Sequence, residues 1–268
     1  MKSLLGTHDV VFLTLDTLRF DVASRVHREG RSPNLARVFP QGWEERLTSG
    51  SFTYAAHHAF FAGFLPVPRT PGPHPRLFAC AFPGSETIGS DTLVFEDAPN
   101  IVHGFASHGY RTVCIGGVGF FNPATALGRV LPGFFQEAHF ERAFSVVAKD
   151  SPEAQFTLAA SRIARLAHGE RTFLFINISA LHQPNCHYLE GHTVDSLETH
   201  AAALEAVDRA LPILLDALQG RDVLLIACAD HGTAYGEDGL TGHRTPHPVV
   251  WTVPYAHAVL KKNDPSHL

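Results

Sequence analysis

The sequence predicts an α/β protein with a mostly parallel sheet sandwiched by helices. Short, almost wholly apolar runs recur at residues 9–15, 171–179 and 222–229; they are rich in β-branched residues and too short for helices. Stretches with helical spacing lie between them, the longest over residues 197–218. Strands buried on both faces read as continuous apolar runs, and their alternation with helices implies a parallel sheet covered on both sides. The chain has 268 residues, 45% of them hydrophobic, which suits one domain over residues 1–268 with a single sizeable core.

The elements follow in order. After the strand at 9–15, Leu18, Val22 and Val26 set a helical period over residues 17–28. Ser32-Pro33-Asn34 opens a second short helix, because proline is tolerated in a first turn. Residues 46–49 read as a strand leading to Thr53, and 54–64, rich in Ala, Phe and His, as a helix. Residues 66–75 carry five prolines and read as a loop. Residues 98–109 suit a helix closed by Gly109, and 111–116 a strand. Glycine and aromatic residues make 116–133 loop-rich, so loop insertions are expected near 66–97 and 117–150. Ser151-Pro152-Glu153 starts a helix reaching about His168. The helix at 197–218 contains Pro212, a potential kink. Residues 251–254 and 256–260 suit edge strands.

The formal net charge is −5 with no basic block, which argues against a nucleic-acid-binding patch. No apolar run approaches the ~20 residues that span a bilayer. The first nine residues lack a signal-peptide pattern, and Cys80, Cys114, Cys186 and Cys228 are scattered, as free thiols of a cytoplasmic protein would be. Oligomeric state is not readable from the chain. Of the 18 histidines, most read as ordinary surface or core residues; those beside the apolar runs carry the chemistry.

Parallel strands bring their carboxyl ends to one sheet edge, so the groups that end them converge. Asp16 ends the first run, and Asp230-His231-Gly232 ends the last. Two carboxylates and an imidazole can bind one divalent cation, with zinc or manganese favoured and magnesium or calcium open. Thr53 opens a helix. Its hydroxyl is a nucleophile once a metal or base activates it, and the unpaired N–H groups there favour an anionic substrate. Thr53 or Ser51 reads equally as a simple N-cap.

Together these segments resemble the alkaline-phosphatase superfamily, in particular its sulfatase and phosphoethanolamine-transferase branch. Leu13-Thr14-Leu15-Asp16-Thr17-Leu18-Arg19-Phe20-Asp21 resembles the opening strand and metal aspartate. Ser32-Pro33-Asn34-Leu35 resembles the next helix. Thr53 to Gly63, then Leu65-Pro66, has the spacing of the nucleophile motif. Gly109-Tyr110-Arg111-Thr112 resembles a core element leading into a strand. Ala229-Asp230-His231-Gly232, Gly236-Glu237 and Gly242-His243 resemble the last metal motif.

The resemblance implies an alkaline-phosphatase-like three-layer fold and a single sulfatase-like catalytic domain. It implies Asp16, Thr53, Asp230 and His231 as metal ligands and Thr53, His182, His243 and His57 as catalytic residues: Thr53 as nucleophile, His182 and His243 near the substrate, and His57 in the place of a sulfatase arginine. Threonine cannot yield the aldehyde that sulfatases need, and Ala55 and His57 replace their maturation motif. The implied activity is therefore metal-dependent hydrolysis of phosphate mono- or diesters, or phosphoryl transfer, on a small phosphate- or sulfate-ester substrate. A sulfatase-like esterase using metal-bound water, and a catalytically silent metal- or ligand-binding protein, stand as alternatives. Asn177 stands where two-zinc phosphatases begin an Asp-x-x-x-His, so a second metal is open; His182, His187 and His243 are its candidates, with His192 and His247 weaker. Arg19 and Asp21 are expected to brace the first loop as an ion pair, and residues 66–97 to form a lid.

Overall fold

A computed structural model describes residues 2–63, 78–79, 93–94 and 100–262. In chain order its elements are β1 (Asp9–Leu15), α1 (Phe20–Arg28), α2 (Pro33–Val38), β2 (Glu44–Leu47), α3 (Thr53–Ala62), β3 (Phe78–Ala79), β4 (Leu93–Val94), α4 (Ile101–Ser107), β5 (Tyr110–Ile115) and β6 (Glu137–His139). There follow α5 (Ser151–Ile163), β7 (Arg171–Ile178), α6 (Leu197–Ala217), β8 (Val223–Cys228), β9 (Ala234–Tyr235), β10 (Thr241–Gly242), α7 (Pro248–Trp251) and β11 (Thr252–Leu260). Seven strands form one sheet in the order β2-β11-β8-β1-β7-β5-β6. β8, β1, β7, β5 and β6 run parallel, while β11 is antiparallel to both β8 and β2. The α/β class and the mostly parallel sheet are as the sequence predicts.

Strand alternation divides the core. Val11, Leu13 and Leu15 of β1, with Leu174, Ile176 and Ile178 of β7, pack under α1, α2, α5 and α6. Val10 of β1, with Phe173 and Phe175 of β7, faces the other way, against Tyr54 and Phe61 of α3, Val102 of α4 and the aromatic segment 118–135. Thr14 and Asp16 continue the face of Val10, and Asn177 continues that of Phe173 and Phe175. In β1 and β7 the polar groups on the α3 side therefore come where the strands end. β1 pairs with both neighbours up to that point, Thr14 standing opposite Asn177 on one side and Cys228 on the other.

The differences from expectation have local causes. α1 begins at Phe20 because Thr17 takes a positive φ of 66° and Arg19 is extended, so the chain leaves β1 through a turn. α5 stops at Ile163 in tight turns (Leu166 N–H to Ile163 C=O, 3.1 Å) before Gly169 reverses the chain. The two expected edge strands are one strand, β11, and β2 is the edge. Pro254 is tolerated there because pairing with β8 begins only at Tyr255. α6 runs unbroken through Pro212, started by a reciprocal Ser196–Thr199 capping box. Segment 117–150 is built of short 3-10 turns plus β6, which joins the main sheet. Cys114, Cys186 and Cys228 are free. Cys80, Leu65-Pro66 and the lid expected over 66–97 lie outside the described residues, apart from the short pairing of β3 with β4.

Gly232 shows how tightly the last metal motif is set. A Cβ there would lie 1.9 Å from the Val249 carbonyl oxygen, and the Gly232 N–H donates to Val250 C=O at 2.8 Å. Both obstacles are backbone, so Gly232→Ala forces the two segments apart. It should lower unfolding free energy by about 3 kcal/mol in urea titrations; a loss under about 1 kcal/mol would contradict this packing.

Candidate metal centre and active site

The carboxyl ends of β1 and β8 place Asp16 and Asp230-His231 side by side, and α3 brings Thr53 to them. One ligand atom from each of Asp16, Asp230 and His231 lies within 4.8 Å of the others, and all three residues are buried. The Thr53 hydroxyl is 3.4 Å from Asp16 Oδ2 and 3.3 Å from His231 Nε2. The N-cap of α3 is Phe52, and Thr53 is the first helical residue, so its hydroxyl is turned to the acidic pair and not spent on a cap.

The donor set fits a cation. Asp16 Oδ2 accepts from the Asn177 amide at 3.0 Å, while Asp16 Oδ1 has no hydrogen-bond partner among the described residues. Asp230 Oδ1 accepts from the N–H groups of Thr17 (3.2 Å) and His231 (3.0 Å), while Asp230 Oδ2 has no hydrogen-bond partner among the described residues. Each carboxylate is thus held by one oxygen and presents the other. His231 Nδ1 donates to the Gly232 carbonyl at 2.9 Å, which leaves the Nε2 lone pair to a metal. Burial raises the proton affinity of Asp16, and the charge of Asp230 raises it further. Burial pushes Asp230 up to about 7. Two buried carboxylates with vacant lone pairs and a neutral imidazole form the environment a divalent ion satisfies.

The other expected site residues separate into groups. His57 is fully buried on α3, four residues after Thr53. Its Nδ1 donates to the Thr53 carbonyl at 2.7 Å, its Nε2 meets the Thr14 hydroxyl at 3.1 Å, and the edges and faces of Phe60, Phe61, Phe121 and Phe175 surround it. Burial lowers its pKa to about 3, so it is a neutral ring. His231, His243 and His182 form a row, with ring centroids 4.6 Å and 5.3 Å apart. Burial lowers the pKa of His243 to about 3. His182 Nδ1 donates to the Gln183 carbonyl at 2.6 Å, which leaves Nε2 free. His187 stacks on Tyr188, His192 is exposed, and His247 caps α7 through Val249 N–H. Among the described residues, the cluster of Asp16, Asp230 and His231 includes none of these three.

Several groups escape a reading of strand ends. Asn177 accepts from the N–H groups of Gly117 (3.3 Å) and Val118 (3.2 Å), which aims its amide N–H at Asp16. The Thr48 hydroxyl donates to the Asp230 carbonyl. Arg19, buried, binds Asp21, Glu237 and the Thr233 carbonyl, joining the first loop to the last motif as its pairing with Asp21 suggested. Arg244 stands beside His243. The signal for Asn177 was present in the register, since it must lie opposite Thr14 if both strands are parallel and in phase.

The profile of the Metalloenzyme superfamily matches residues 98–260, more than half of the chain. The chain belongs to this superfamily. No match was found among curated protein sequences. Solved structures with the same fold include the soluble domain of lipooligosaccharide phosphoethanolamine transferase A from Neisseria meningitidis (16% identity, TM-score 0.63, 96% of this chain and 77% of that one). They also include the C-terminal periplasmic domain of EptC from Escherichia coli (12% identity, TM-score 0.65, 98% and 76%). A third is an alkaline phosphatase superfamily protein from Vibrio parahaemolyticus (17% identity, TM-score 0.60, 94% and 60%). The alkaline-phosphatase-like fold that the motifs implied is the fold of this chain. A divalent metal ion is the cofactor supported by the family and the donor set together.

These structures correct the expectation of a cytoplasmic protein. The Escherichia coli domain is periplasmic by name, as is a second match from Campylobacter jejuni. Free thiols and the lack of a leader pattern do not fix a compartment against that finding. No helix among the described residues is long and apolar enough to cross a membrane.

The acidic pair gives a pH test. A carboxylate whose folded pKa is raised contributes stability that is fully present below its unfolded value and is lost as pH rises through the folded one. Chelator-stripped protein should therefore lose thermal stability as pH rises from about 4 to 7, the window between an ordinary aspartate and Asp230. Added zinc or manganese at pH 7.5 should restore it, and Asp230→Asn in the stripped protein should flatten the pH dependence. Melting curves without that slope, or with no response to cation, would contradict the site.

Proposed function

We propose that the chain is a metal-dependent phosphoric ester hydrolase or phosphoryl transferase in which Thr53 is the nucleophile. The observation that carries this reading is the Thr53 hydroxyl, 3.4 Å from Asp16 Oδ2 and 3.3 Å from His231 Nε2, at the first residue of a helix. Asp16, Asp230, His231 and Thr53 would hold the cation, which lowers the hydroxyl pKa and neutralises charge on a phosphate oxygen. Zinc and manganese suit this mixed carboxylate and imidazole set best.

The residues divide the work. The start of α3 offers N–H groups without intrahelical partners to the phosphate. Thr53 attacks phosphorus. Its Oγ–P bond forms as the ester P–O bond breaks, and the hydroxyl proton is held at Asp16 Oδ2. His243, neutral, donates a hydrogen bond to a phosphate oxygen. His182, tied at Nδ1 by the Gln183 carbonyl, acts as general acid when its Nε2 also carries a proton, which it gives to the departing oxygen. Water or an acceptor hydroxyl then attacks the phosphorus of phospho-Thr53 and gives its proton to His182 Nε2, as the Oγ–P bond breaks and Thr53 recovers its proton from Asp16 Oδ2. His57 positions rather than reacts. It ties the Thr53 carbonyl to Thr14, fixing α3 over the end of β1.

Thr53→Ala should reduce turnover of para-nitrophenyl phosphate esters at least about a thousandfold while leaving the melting temperature near that of the parent; cation binding should weaken but persist, held by Asp16, Asp230 and His231. Thr53→Ser should retain much of the activity. Mass spectrometry of acid-quenched parent enzyme should find phosphate on Thr53. Sustained turnover by Thr53→Ala would mean that water attacks directly, the sulfatase-like alternative. A bound cation with no turnover of any phosphate or sulfate ester would favour a silent binding protein.

A further inference from the structure

Arg244 lies one residue beyond His243, at the mouth of the site. Its N–H donates to the Ser51 carbonyl at 2.8 Å, which ties this loop to the segment that opens α3. Its guanidinium lies 5.7 Å from the ring centroid of Phe52, the residue before Thr53. The residue is exposed, and no carboxylate lies within 4.0 Å of it among the described residues. Arg28, Arg37 and Arg129 also lack such a partner among the described residues; what sets Arg244 apart is its seat over Phe52 and its place beside His243.

The backbone adds a second observation. Arg244 has φ 68°, a left-handed conformation that strains any residue bearing a side chain. Among the described non-glycine residues only Thr17 and Asp238 share this feature. Thr17 uses it to aim its N–H at Asp230. Strain of this kind persists where surrounding contacts enforce it and gathers at working sites. At Arg244 it turns a cation onto an aromatic face, where stacking restrains the guanidinium and leaves its N–H edge to solvent.

We infer that Arg244 is a specificity-determining residue that grips a second anionic group on the substrate, carried on the part of the ester remote from the transferred phosphorus. This rests on the phosphoryl-transfer reading above. The reacting phosphate has its partners within: Thr53, the ends of β1 and β8, His182 and His243. Arg244 stands at the rim with its fork unpaired, and a planar guanidinium of that kind suits a carboxylate or a second phosphate. The substrate class is therefore a phosphate ester with a distal negative charge, in preference to one with a neutral or cationic tail.

The test uses the metal-loaded full chain with two phosphodiesters, para-nitrophenyl ethyl phosphate and para-nitrophenyl carboxyethyl phosphate. The parent should prefer the carboxylate-bearing ester in kcat/KM by about fivefold, the scale of one exposed ion pair. Arg244→Gly should bring that ratio to about one. Glycine accepts this φ without strain, so the variant's melting temperature should be unchanged or higher. Arg244→Lys should keep part of the preference, and added salt should shrink it in the parent. An unchanged ratio in Arg244→Gly overturns the inference, and so does a lost preference accompanied by a fall in melting temperature. Should the parent turn over neither ester, the phosphoryl-transfer reading fails on its own. The inference is then decided by calorimetry with carboxyethyl phosphate and ethyl phosphate, where an equal preference in parent and Arg244→Gly overturns it.

Discussion

Two buried carboxylates on neighbouring strands dominate this protein. Asp16 and Asp230 follow β1 and β8 as buried side chains, and each has one oxygen without a hydrogen-bond partner among the described residues. Burying one uncompensated carboxylate costs several kcal/mol, and a second nearby adds repulsion. Protons or a cation must settle that charge. His231, whose Nε2 lies within 4.8 Å of both carboxylates, favours the cation in the reading proposed above, since a site built to take protons has no use for a third lone pair.

The rest of the architecture holds those two groups still. A parallel sheet with largely apolar strands buried on both faces brings the charges to its edge. Strand alternation puts Thr14, Asp16 and Asn177 on the side where α3 packs. Thr17 in a left-handed turn, the Asn177 amide fixed by Gly117 and Val118, and the Thr48 hydroxyl each secure one ligand or its backbone. His57 is part of this frame: its ring carries a hydrogen bond from α3 to β1 through a cage of phenylalanines. The histidines that face the opening are His182 and His243, and Arg244 extends the polar rim outward over Phe52.

The sheet and the acidic end of β1 were legible because buried parallel strands leave a strong apolar signature, and the group after each run falls at one edge by geometry alone. Thr53 was legible only through its spacing to Gly63 and the motif order, since a threonine before a helical run reads equally as a cap. The start of α1 was misjudged because the left-handed turn at Thr17 leaves no trace in a hydrophobic pattern. β11 was split in two because Pro254 interrupts its sequence signal although it lies just before pairing with β8 begins. His57 drew attention by its position in the motif, but whether a ring reacts or braces depends on what surrounds it, and its phenylalanine cage comes from α3, the segment after β5 and β7. Arg244 was invisible for the opposite reason: nothing in a single exposed arginine says that its backbone is strained.

The most direct measurement is an anomalous difference map from crystals soaked with zinc or manganese. A single strong peak about 2 Å from Asp16 Oδ1, Asp230 Oδ2 and His231 Nε2, with the Thr53 hydroxyl completing its sphere, is the expected result. A cation bound elsewhere, or one at these carboxylates with Thr53 turned away, would contradict the account.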